Sequence, residues 1–467
     1  MITTTDSPAA APQTKAGFSA TYVWLISAVA AMGGLLFGYD TAVINGALVF
    51  LRAAFQLSEG QTEFAASSLL WGCLAGALLA GPLGDRYGRK KLLLLSGILF
   101  FLSALGAALP RTFGFFLMAR GAGGLGIGMA STLAPVYLAE LSPSEQRGRV
   151  VTVNQLAIVS GILVAYLASW AFSFLGESSW RWMFGSAALP AAIFSLAVLT
   201  IPESPRWLFE KGREPEARTI LRDLHGAAVA EKELREISES AGADKLGWSD
   251  LLRRIRKPMI LAICLAVLQQ ISGINTVLYY GALLFKEHTG VSSQSAVGAN
   301  VLIGAVNFIF TLVAMAIVDR VRRHTLLATS AGVMALSLIV LCLGFRMVPA
   351  PFALVIGSIL VYVAAFATGV GPGVWVYISE LFPTSLRGRA MSVATAALWG
   401  ACILVTNTFL TAVRLLTPSG AFLFYAAMCA VLCGFVFLLP ETRGRSLEAI
   451  ASLWEKSDRE NASPSQA

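Results

Sequence analysis

Apolar stretches of about 20 residues follow one another along most of the chain, separated by short polar segments. Each stretch can form a helix long enough to cross a hydrocarbon layer about 30 Å thick. Of the 467 residues, 13% are charged, whereas a soluble protein of this length carries about 25%. The sequence therefore predicts an all-α membrane protein, which excludes most soluble-enzyme functions and gives no reason to expect a nucleic-acid partner.

We expect twelve spans, in two groups of six around a long charged segment. The predicted spans are residues 21–50, 62–84, 92–110, 113–141, 150–174, 182–201, 259–285, 292–318, 325–345, 351–381, 390–413 and 420–439. The charged segment, 203–257, is predicted to be a cytoplasmic helical linker between a first half, 21–202, and a second half, 258–440. Residues 1–20 and 441–467 are predicted to be cytoplasmic tails, the first of them disordered.

Three motifs occur twice at nearly constant separations. DRYGRKKLLL at 85 returns as DRVRRHTLLA at 319, YLAELSPSEQRGR at 137 as YISELFPTSLRGR at 377, and PESPR at 202 as PETRG at 440. The offsets of 234, 240 and 238 residues indicate that the second half repeats the first in parallel. Parallel halves of this kind are typical of transporters that hold their substrate between the halves, near the middle of the membrane.

Basic residues are concentrated on one side of the predicted bundle, where the short loops carry eleven Lys and Arg against six on the other side. Because basic loops stay in the cytoplasm, this side and both termini are predicted to be cytoplasmic, in a cell membrane. The simplest interpretation of these charges is that they set the topology. The cytoplasmic set comprises Asp85, Arg86, Arg89, Glu140, Arg147, Arg149, Asp319, Arg320, Arg323, Glu380, Arg387 and Arg389.

Two ionisable residues lie deep inside predicted spans, Asp40 in the first and Arg120 in the fourth. Both lie about 13–15 Å from the outer span ends, so the two side chains can pair. One interpretation is a fixed salt bridge that only joins two helices, although desolvation makes such a pair a poor source of stability. The other is a proton site, because a change in the distance between the charges changes the proton affinity of the carboxylate.

Amide and indole side chains form a second group near mid-span depth. They offer hydrogen bonds to sugar hydroxyls and an apolar face to the sugar ring, although a lone amide just as often joins two helices. The candidates for a sugar site are Gln155, Gln269, Gln270, Asn275, Asn307, Trp375 and Trp399.

The longer motifs together are specific. They include GDRYGRK (84–90), RGAGGLGIG (120–128), PESPRWL (202–208), QQISGINTVLYY (269–280) and PETRGRSLEAI (440–450). On these motifs the chain resembles the sugar porter family of the major facilitator superfamily over most of residues 20–455, with the strongest likeness to its bacterial xylose–proton symporters. The resemblance implies twelve transmembrane helices, no cofactor, and alternating-access transport of a monosaccharide together with a proton.

The resemblance also implies residue roles. Asp40 and Arg120 match the proton-coupling pair, and the family's facilitators of animal cells carry Asn at the position of Asp40. The amides and Trp375 match sugar contacts, and Trp399 matches a lining aromatic. Tyr279 and Tyr280 match an outer gate, with Phe37 as a wall of the pocket. The cytoplasmic charges match an inner gate of ion pairs between the halves.

Four positions depart from the family pattern. Leu398 and Cys402 replace polar residues beside Trp399, Ala187 replaces a third buried acid of a proton-coupled relative, and Arg322 replaces the glycine of a cytoplasmic turn, where we expect it to crowd the backbone. The transported sugar therefore stays open between a pentose and a hexose, such as xylose or glucose.

Two other functions are open alternatives. A proton-independent facilitator shares the same fold and sugar site, and a sugar sensor that does not transport is disfavoured by the short segment after Pro440. The six cysteines all fall in apolar segments, so we expect neither a disulfide nor a metal site. We expect the protein to work as a monomer in the lipid bilayer.

Overall fold

The structure, a computed structural model, describes residues 20–141, 147–240, 256–318, 320–347, 349–382 and 384–441. Over these ranges it is helical, without a strand. The helices of the first half are α1 (Ala20–Ala54), α2 (Glu59–Tyr87), α3 (Arg89–Ala108), α4 (Phe113–Leu141), α5 (Arg147–Phe172), α6 (Ser179–Gly185) and α7 (Ala188–Thr200). The segment that follows forms α8 (Pro205–Glu210), α9 (Glu214–His225) and α10 (Ala227–Ser240). The second half forms α11 (Arg256–Ile271), α12 (Ile274–Thr289), α13 (Ser293–Ile317), α14 (Arg323–Arg346), α15 (Phe352–Thr368), α16 (Val370–Glu380) and α17 (Thr384–Val436).

Ten helical stretches of the described chain are long and apolar enough to cross a membrane. Two of them, Asn154–Thr200 and Ala390–Val436, are 47 residues long. Each contains a residue at positive φ that interrupts the helix, Gly176 at 74° and Thr417 at 63°. Because one crossing takes about 20 residues, each long stretch supplies two spans. The prediction of an all-α protein with twelve spans is confirmed.

Two spans of the second half are broken within the membrane, which the sequence analysis did not predict. Gly273, at φ 93°, separates α11 from α12, and Gly369 separates α15 from α16. Irregular backbone at this depth needs partners from the protein, because lipid supplies none. Tyr362 donates to the carbonyl of Ser272 at 2.9 Å, and the N–H of Val370 donates to Ser330 at 3.1 Å. Both breaks are therefore held in place by neighbouring helices.

The helices that carry the two deep charges pack closely on their neighbours. A Cβ added to Gly38 of α1 would overlap the carbonyl of Ile158 in α5, and one added to Gly124 of α4 would overlap that of Leu69 in α2. Only glycine permits this approach of backbones. The glycine at each contact therefore fixes the helix on which Asp40 or Arg120 lies.

The helices α8–α10 form a small cluster of their own below the first half, around Trp207, Leu221 and Leu234. His225 joins this cluster to the end of α4, since one ring nitrogen lies 3.1 Å from the carbonyl oxygen of Leu141. The predicted limits of the linker, 203–257, and of the two halves stay predictions. Residues 241–255 and both predicted tails, apart from Ala20 and Glu441, lie outside the described residues.

The break at Gly273 makes a prediction about stability. Replacing Gly273→Ala is expected to cost about 2–4 kcal/mol, because the residue lies at positive φ and its Cβ would press on the ring of Tyr425 at 2.7 Å. Thermal unfolding of the detergent-purified protein measures the change. Gly434→Ala is the matched control, since a Cβ there meets open space. An equal melting temperature for the two variants would contradict the strain assigned to Gly273.

Candidate functional site

Asp40 and Arg120 are in direct contact, as their predicted depths allow. The Arg120 guanidinium donates to the Asp40 carboxylate, and its other terminal nitrogen donates to the main-chain carbonyl of Asp40 at 3.0 Å. The ring of Phe184 lies 5.1 Å from the guanidinium carbon. Arg120 therefore has a carbonyl and an aromatic face as partners in addition to the carboxylate, and it keeps both of these when the carboxylate is protonated.

The two members of the pair differ in accessibility. The side chain of Arg120 is 1% exposed and that of Asp40 is 13% exposed. A proton can therefore reach the carboxylate, while the guanidinium stays enclosed by α1, α4 and α6. Ala187 lies one residue beyond Ser186, whose hydroxyl is 2.6 Å from the hydroxyl of Tyr39. The position of the absent third acid is thus close to the pair, on the break between α6 and α7.

The predicted amides gather at the break between α11 and α12. Gln269 donates to the carbonyls of Val370 and Gly371 at 3.0 and 3.1 Å, which connects the two broken spans. Gln270 accepts a hydrogen bond from Asn275. These three amides lie beside the interrupted backbone, so the break places a polar patch in the middle of the second half.

Cys402 lies against this patch. Asn275 donates to its sulfur at 3.0 Å, and the side chain of Tyr279 is also in hydrogen-bonding contact with it. Leu398, one turn earlier on α17, is buried. On this side of the site, α17 therefore contributes a thiol and an aliphatic side chain. The thiol already accepts a hydrogen bond from Asn275 of the same half.

Aromatic side chains close the patch. Phe37 of the first half meets Trp399 of the second edge to face, with ring centroids 5.9 Å apart. The indole nitrogen of Trp399 is buried without a hydrogen-bond partner in the described chain. Tyr280 is buried and donates to the carbonyl of Thr406 at 2.8 Å. Phe37 and Trp399 thus bring the two halves together next to the amides, and Trp399 retains a free donor.

Three of the predicted site residues stand apart from this hydrogen-bonded group. Gln155 and Trp375 are half-buried and Asn307 is buried. Within the described ranges, none of the three donates or accepts a hydrogen bond through its side chain. Their polar groups are therefore available to a ligand.

The cytoplasmic charges of the first half form a compact network. Arg89 lies 3.3 Å from Glu140 and 3.2 Å from the exposed Asp85. Glu140 also accepts from the hydroxyl of Ser204 at 2.6 Å. Glu203, which the sequence analysis did not select, accepts from the backbone N–H of Arg89 at 2.9 Å. Its negative charge therefore lies at the N-terminus of α3, where the helix dipole favours it.

The second half repeats the arrangement at the predicted offsets. Arg323 lies 2.8 Å from Glu380, and Glu441 accepts from the backbone N–H of Arg323 at 3.3 Å. Tyr137 and Tyr377 donate to the carbonyls of Pro202 and Pro440, each at 2.6 Å. The repeated motifs are thus the same structure built twice. All of these ion pairs join residues of the same half or of the adjoining linker.

Two of the remaining predicted charges lie at the surface. Arg86 and Arg320 are exposed, and Arg86 lies over the ring of Tyr87. Asp319 and the side chains of Arg147, Arg149, Arg387 and Arg389 lie outside the described part of the chain.

The turn at Arg322 adapts to its side chain. Gly88 lies at φ 99°, where a Cβ would collide with Glu203, whereas Arg322 at the matching position lies at φ −62°. The backbone of the second turn therefore avoids the crowding that we expected. The carboxylate of Glu441 is 3.3 and 3.5 Å from the two amides it faces, compared with 2.9 and 3.1 Å for Glu203.

Within the described residues, the hydrogen bonds that join the two halves lie towards the predicted outer side. Asn45 of α1 is fully buried and donates to the carbonyl of Leu278 in α12 at 2.8 Å. Arg52 lies 2.5 Å from Glu287, and Ser67 lies 2.6 Å from Asn407. Asn45 was missed by the sequence analysis, although it is a mid-span amide like those selected. The bundle is closed on this side, above the pair and the amides.

Known proteins share this architecture. A family model described as sugar (and other) transporter matches residues 26–454. The D-xylose transporter of Levilactobacillus brevis is 40% identical over 439 residues, which cover 92% of this chain and 96% of the relative. The D-xylose-proton symporter of Escherichia coli K12 is 35% identical, over 94% and 97% of the two chains. The E. coli xylose transporter, solved partially occluded and inward open, superposes with a TM-score of 0.82 at 33% identity, over 91% of this chain and 100% of that one.

The two helix-end carboxylates make a prediction. Glu203→Ala is expected to destabilise the first turn of α3 by about 1 kcal/mol, which is roughly a fivefold rise in amide exchange. Glu441→Ala is expected to change α14 less, because its carboxylate lies farther from the amides. Hydrogen exchange at residues 89–92 and 323–326 measures both. Glu210→Ala, which removes an exposed pair with Arg206, is the control. Equal exchange in all three variants would contradict the assignment.

Proposed function

The chain belongs to the sugar transporter family, and we infer that it is a proton-coupled monosaccharide symporter of the membrane. The observation that carries the inference is the contact between Asp40 and Arg120 inside the bundle. A proton gradient can drive uphill transport only if a protonatable group changes its proton affinity with conformation. Asp40 is the partly exposed acid at the required depth, and Arg120 is the charge that tunes it.

We propose the following role for the pair. When Arg120 contacts the Asp40 carboxylate, the ionised form is favoured and the proton leaves. When α1 and α4 move apart, the carboxylate loses that support and binds a proton. Arg120 can keep the face of Phe184, which lies on α6, as a partner, and this lowers the cost of separating the charges. Proton binding is thereby linked to the rocking of the halves.

We propose that the sugar binds between the halves at the break of α11 and α12. Gln269, Gln270 and Asn275 would supply hydrogen bonds from the second half, together with Asn307 and Trp375. Gln155 would contribute from the first half, and Trp399 and Phe37 would cover the apolar face of the ring. Several polar groups held in place around an apolar wall are what a monosaccharide requires.

The α17 side of this site supports a proposal about specificity. Cys402 already accepts a hydrogen bond from Asn275, and Leu398 cannot form one. This side would therefore form fewer hydrogen bonds to sugar hydroxyls than polar residues at these two positions would. A pentose or a hexose, such as xylose or glucose, fits this description.

The chain is a multi-pass membrane transporter, and membership of a transporter family gives no support to an enzymatic function. We propose that both termini and the linker are cytoplasmic, that the membrane is the cell membrane, and that a monomer in the bilayer is sufficient. The basic cytoplasmic loops support the first of these proposals, and a complete sugar site within one chain supports the last.

Uptake by purified protein in liposomes tests the function. With an inward proton gradient, radiolabelled xylose or glucose is expected to accumulate above its external concentration. Equal final levels with and without the gradient would instead identify a proton-independent facilitator and leave Asp40–Arg120 as a structural pair.

Asp40→Asn is expected to abolish accumulation above equilibrium while exchange of internal for external sugar continues. The amide keeps a polar partner for Arg120 but cannot carry the coupled proton. Uptake with a gradient and counterflow without one measure the two activities on the same preparation. Glu216→Gln, an exposed carboxylate of the linker helices, serves as the control. A variant that still accumulates sugar uphill would remove Asp40 from the coupling mechanism.

Gln270→Ala is expected to raise the KM for sugar about tenfold at an unchanged proton dependence. It removes one contact to the sugar and also the acceptor that orients Asn275. Concentration-dependent uptake at two pH values measures both properties. Gln294→Ala, at the start of α13, is the control for loss of an amide outside the site. If both variants show the same KM as the unmodified protein, the sugar site lies elsewhere.

A further inference from the structure

We propose that Glu63 helps to hold the outer gate closed, together with Asn45, by binding its carboxylate to the backbone of α17 across the interface between the halves. Glu63 lies in the first turns of α2, and its residue is 3% exposed. Glu63 is not part of the Asp40–Arg120 pair, the proposed sugar site or the repeated charges of the predicted cytoplasmic side. The proposal rests on the proposed function, because it concerns the conformational change that transport requires.

The contact is made by both carboxylate oxygens. The backbone N–H of Thr411 donates to one oxygen at 2.7 Å, and the hydroxyl of Thr411 donates to the other at 3.0 Å. The backbone N–H of Leu410 also faces the carboxylate. Each oxygen of the carboxyl group therefore has a hydrogen-bond partner on α17, in the other half of the protein.

Glu63 is unlike the other outer charges. In the described chain no Lys, Arg or His lies within ion-pair distance of it, and the charged or titratable groups around it are Glu59, Tyr280 and Tyr425. Arg414 lies 3.3 Å from Glu59, and both of those side chains are considerably more exposed. Its only described hydrogen-bond partners therefore belong to the other half of the protein.

The backbone of α17 is engaged from two sides at this point. Tyr280 of α12 donates to the carbonyl of Thr406, while Glu63 of α2 binds Thr411, one turn later. The hydroxyl of Ser67, one turn after Glu63, lies 2.6 Å from the side-chain oxygen of Asn407. These contacts attach α17 to α2 on one side and to α12 on the other. The closed outer side thus depends on α17 being held against α2.

These bonds exist only while the outer side is closed. Opening the site outward separates α2 from α17, and water then replaces Thr411 at the carboxylate. A contact made in one state and lost in the other biases the equilibrium between them. One member of each of the pairs Arg52–Glu287 and Arg414–Glu59 is exposed, so water screens these pairs and they bias the equilibrium less. Glu63 is enclosed, so its contribution is larger.

Hydrogen exchange of the detergent-purified protein tests this role without added labels. Glu63→Ala is expected to speed exchange about tenfold in segments 60–67 and 405–412, which face each other across the outer gate. Exchange at the inner ends, in segments 89–92 and 377–382, is expected to stay unchanged or to slow down. General destabilisation of the fold would instead raise exchange at both ends.

Three further variants separate the causes. Thr411→Val removes one of the two hydrogen bonds from the other helix and is expected to give a smaller rise at the same outer segments. Glu63→Gln can still accept from the Thr411 N–H and donate to the Thr411 hydroxyl. A small effect on exchange would mean that the Glu63–Thr411 contact acts through its hydrogen bonds, and a large effect would mean that it acts through the charge of Glu63. Glu59→Gln is the control, because it removes an exposed outer carboxylate, and less than a twofold change is expected.

Unchanged exchange at segments 60–67 and 405–412 in both Glu63→Ala and Thr411→Val would overturn the proposal. So would a rise of the same size at the inner ends, or an equal effect of Glu59→Gln. Sugar uptake by the unmodified protein is measured in parallel. Absence of uptake would count against the symporter function. Normal uptake without the expected change in exchange at the outer segments would count against the role of the Glu63–Thr411 contact alone.

Discussion

The absence of water from the hydrocarbon layer is the constraint on which the rest of this structure depends. Each backbone group and each charge inside the layer must find its partner in the protein. Regular helices satisfy most of the backbone. At the break between α11 and α12, the hydroxyl of Tyr362 donates a hydrogen bond to the carbonyl of Ser272, and the Gln269 amide donates to carbonyls of α16. The polar groups that could bind a sugar are concentrated at this same break, because a break is where a membrane helix can present them.

The span count and the repeat could be predicted because they depend on properties that a sequence displays directly. About 20 apolar residues are needed for each crossing, and a duplicated motif keeps its spacing. The breaks at Gly273 and Gly369 could not be predicted in this way. A glycine inside an apolar run is equally suited to close helix packing, as at Gly38 and Gly124, and only the neighbouring helices decide between the two.

The residues of the candidate site can likewise be separated into those that the sequence predicted and those that depend on neighbouring helices. The pairing of Asp40 with Arg120 followed from depth alone, since each is the one charge of its kind well inside the predicted spans. Glu63, Glu203 and Glu441 were missed because a carboxylate at a span end is ordinary in a sequence. What distinguishes them is the backbone N–H that each one binds, and that partner lies more than 100 residues away in the chain. The partner of Asn45 in α12 is equally remote.

The contacts on the two sides of the protein differ, and the repeat explains part of the difference. All three duplicated motifs lie on the side that is predicted to be cytoplasmic, where they place a matching Arg–Glu pair in each half. Each of these pairs joins residues of a single half, and the arginine in each is buried. The outer side has no duplicated motif, and it is joined by residues such as Asn45 and Glu63 that are buried in the interface. Among the described residues, it is these outer bonds that join the two halves. Substitution of the outer residues is therefore the more direct way to change the equilibrium between the states in which the outer side is closed and open.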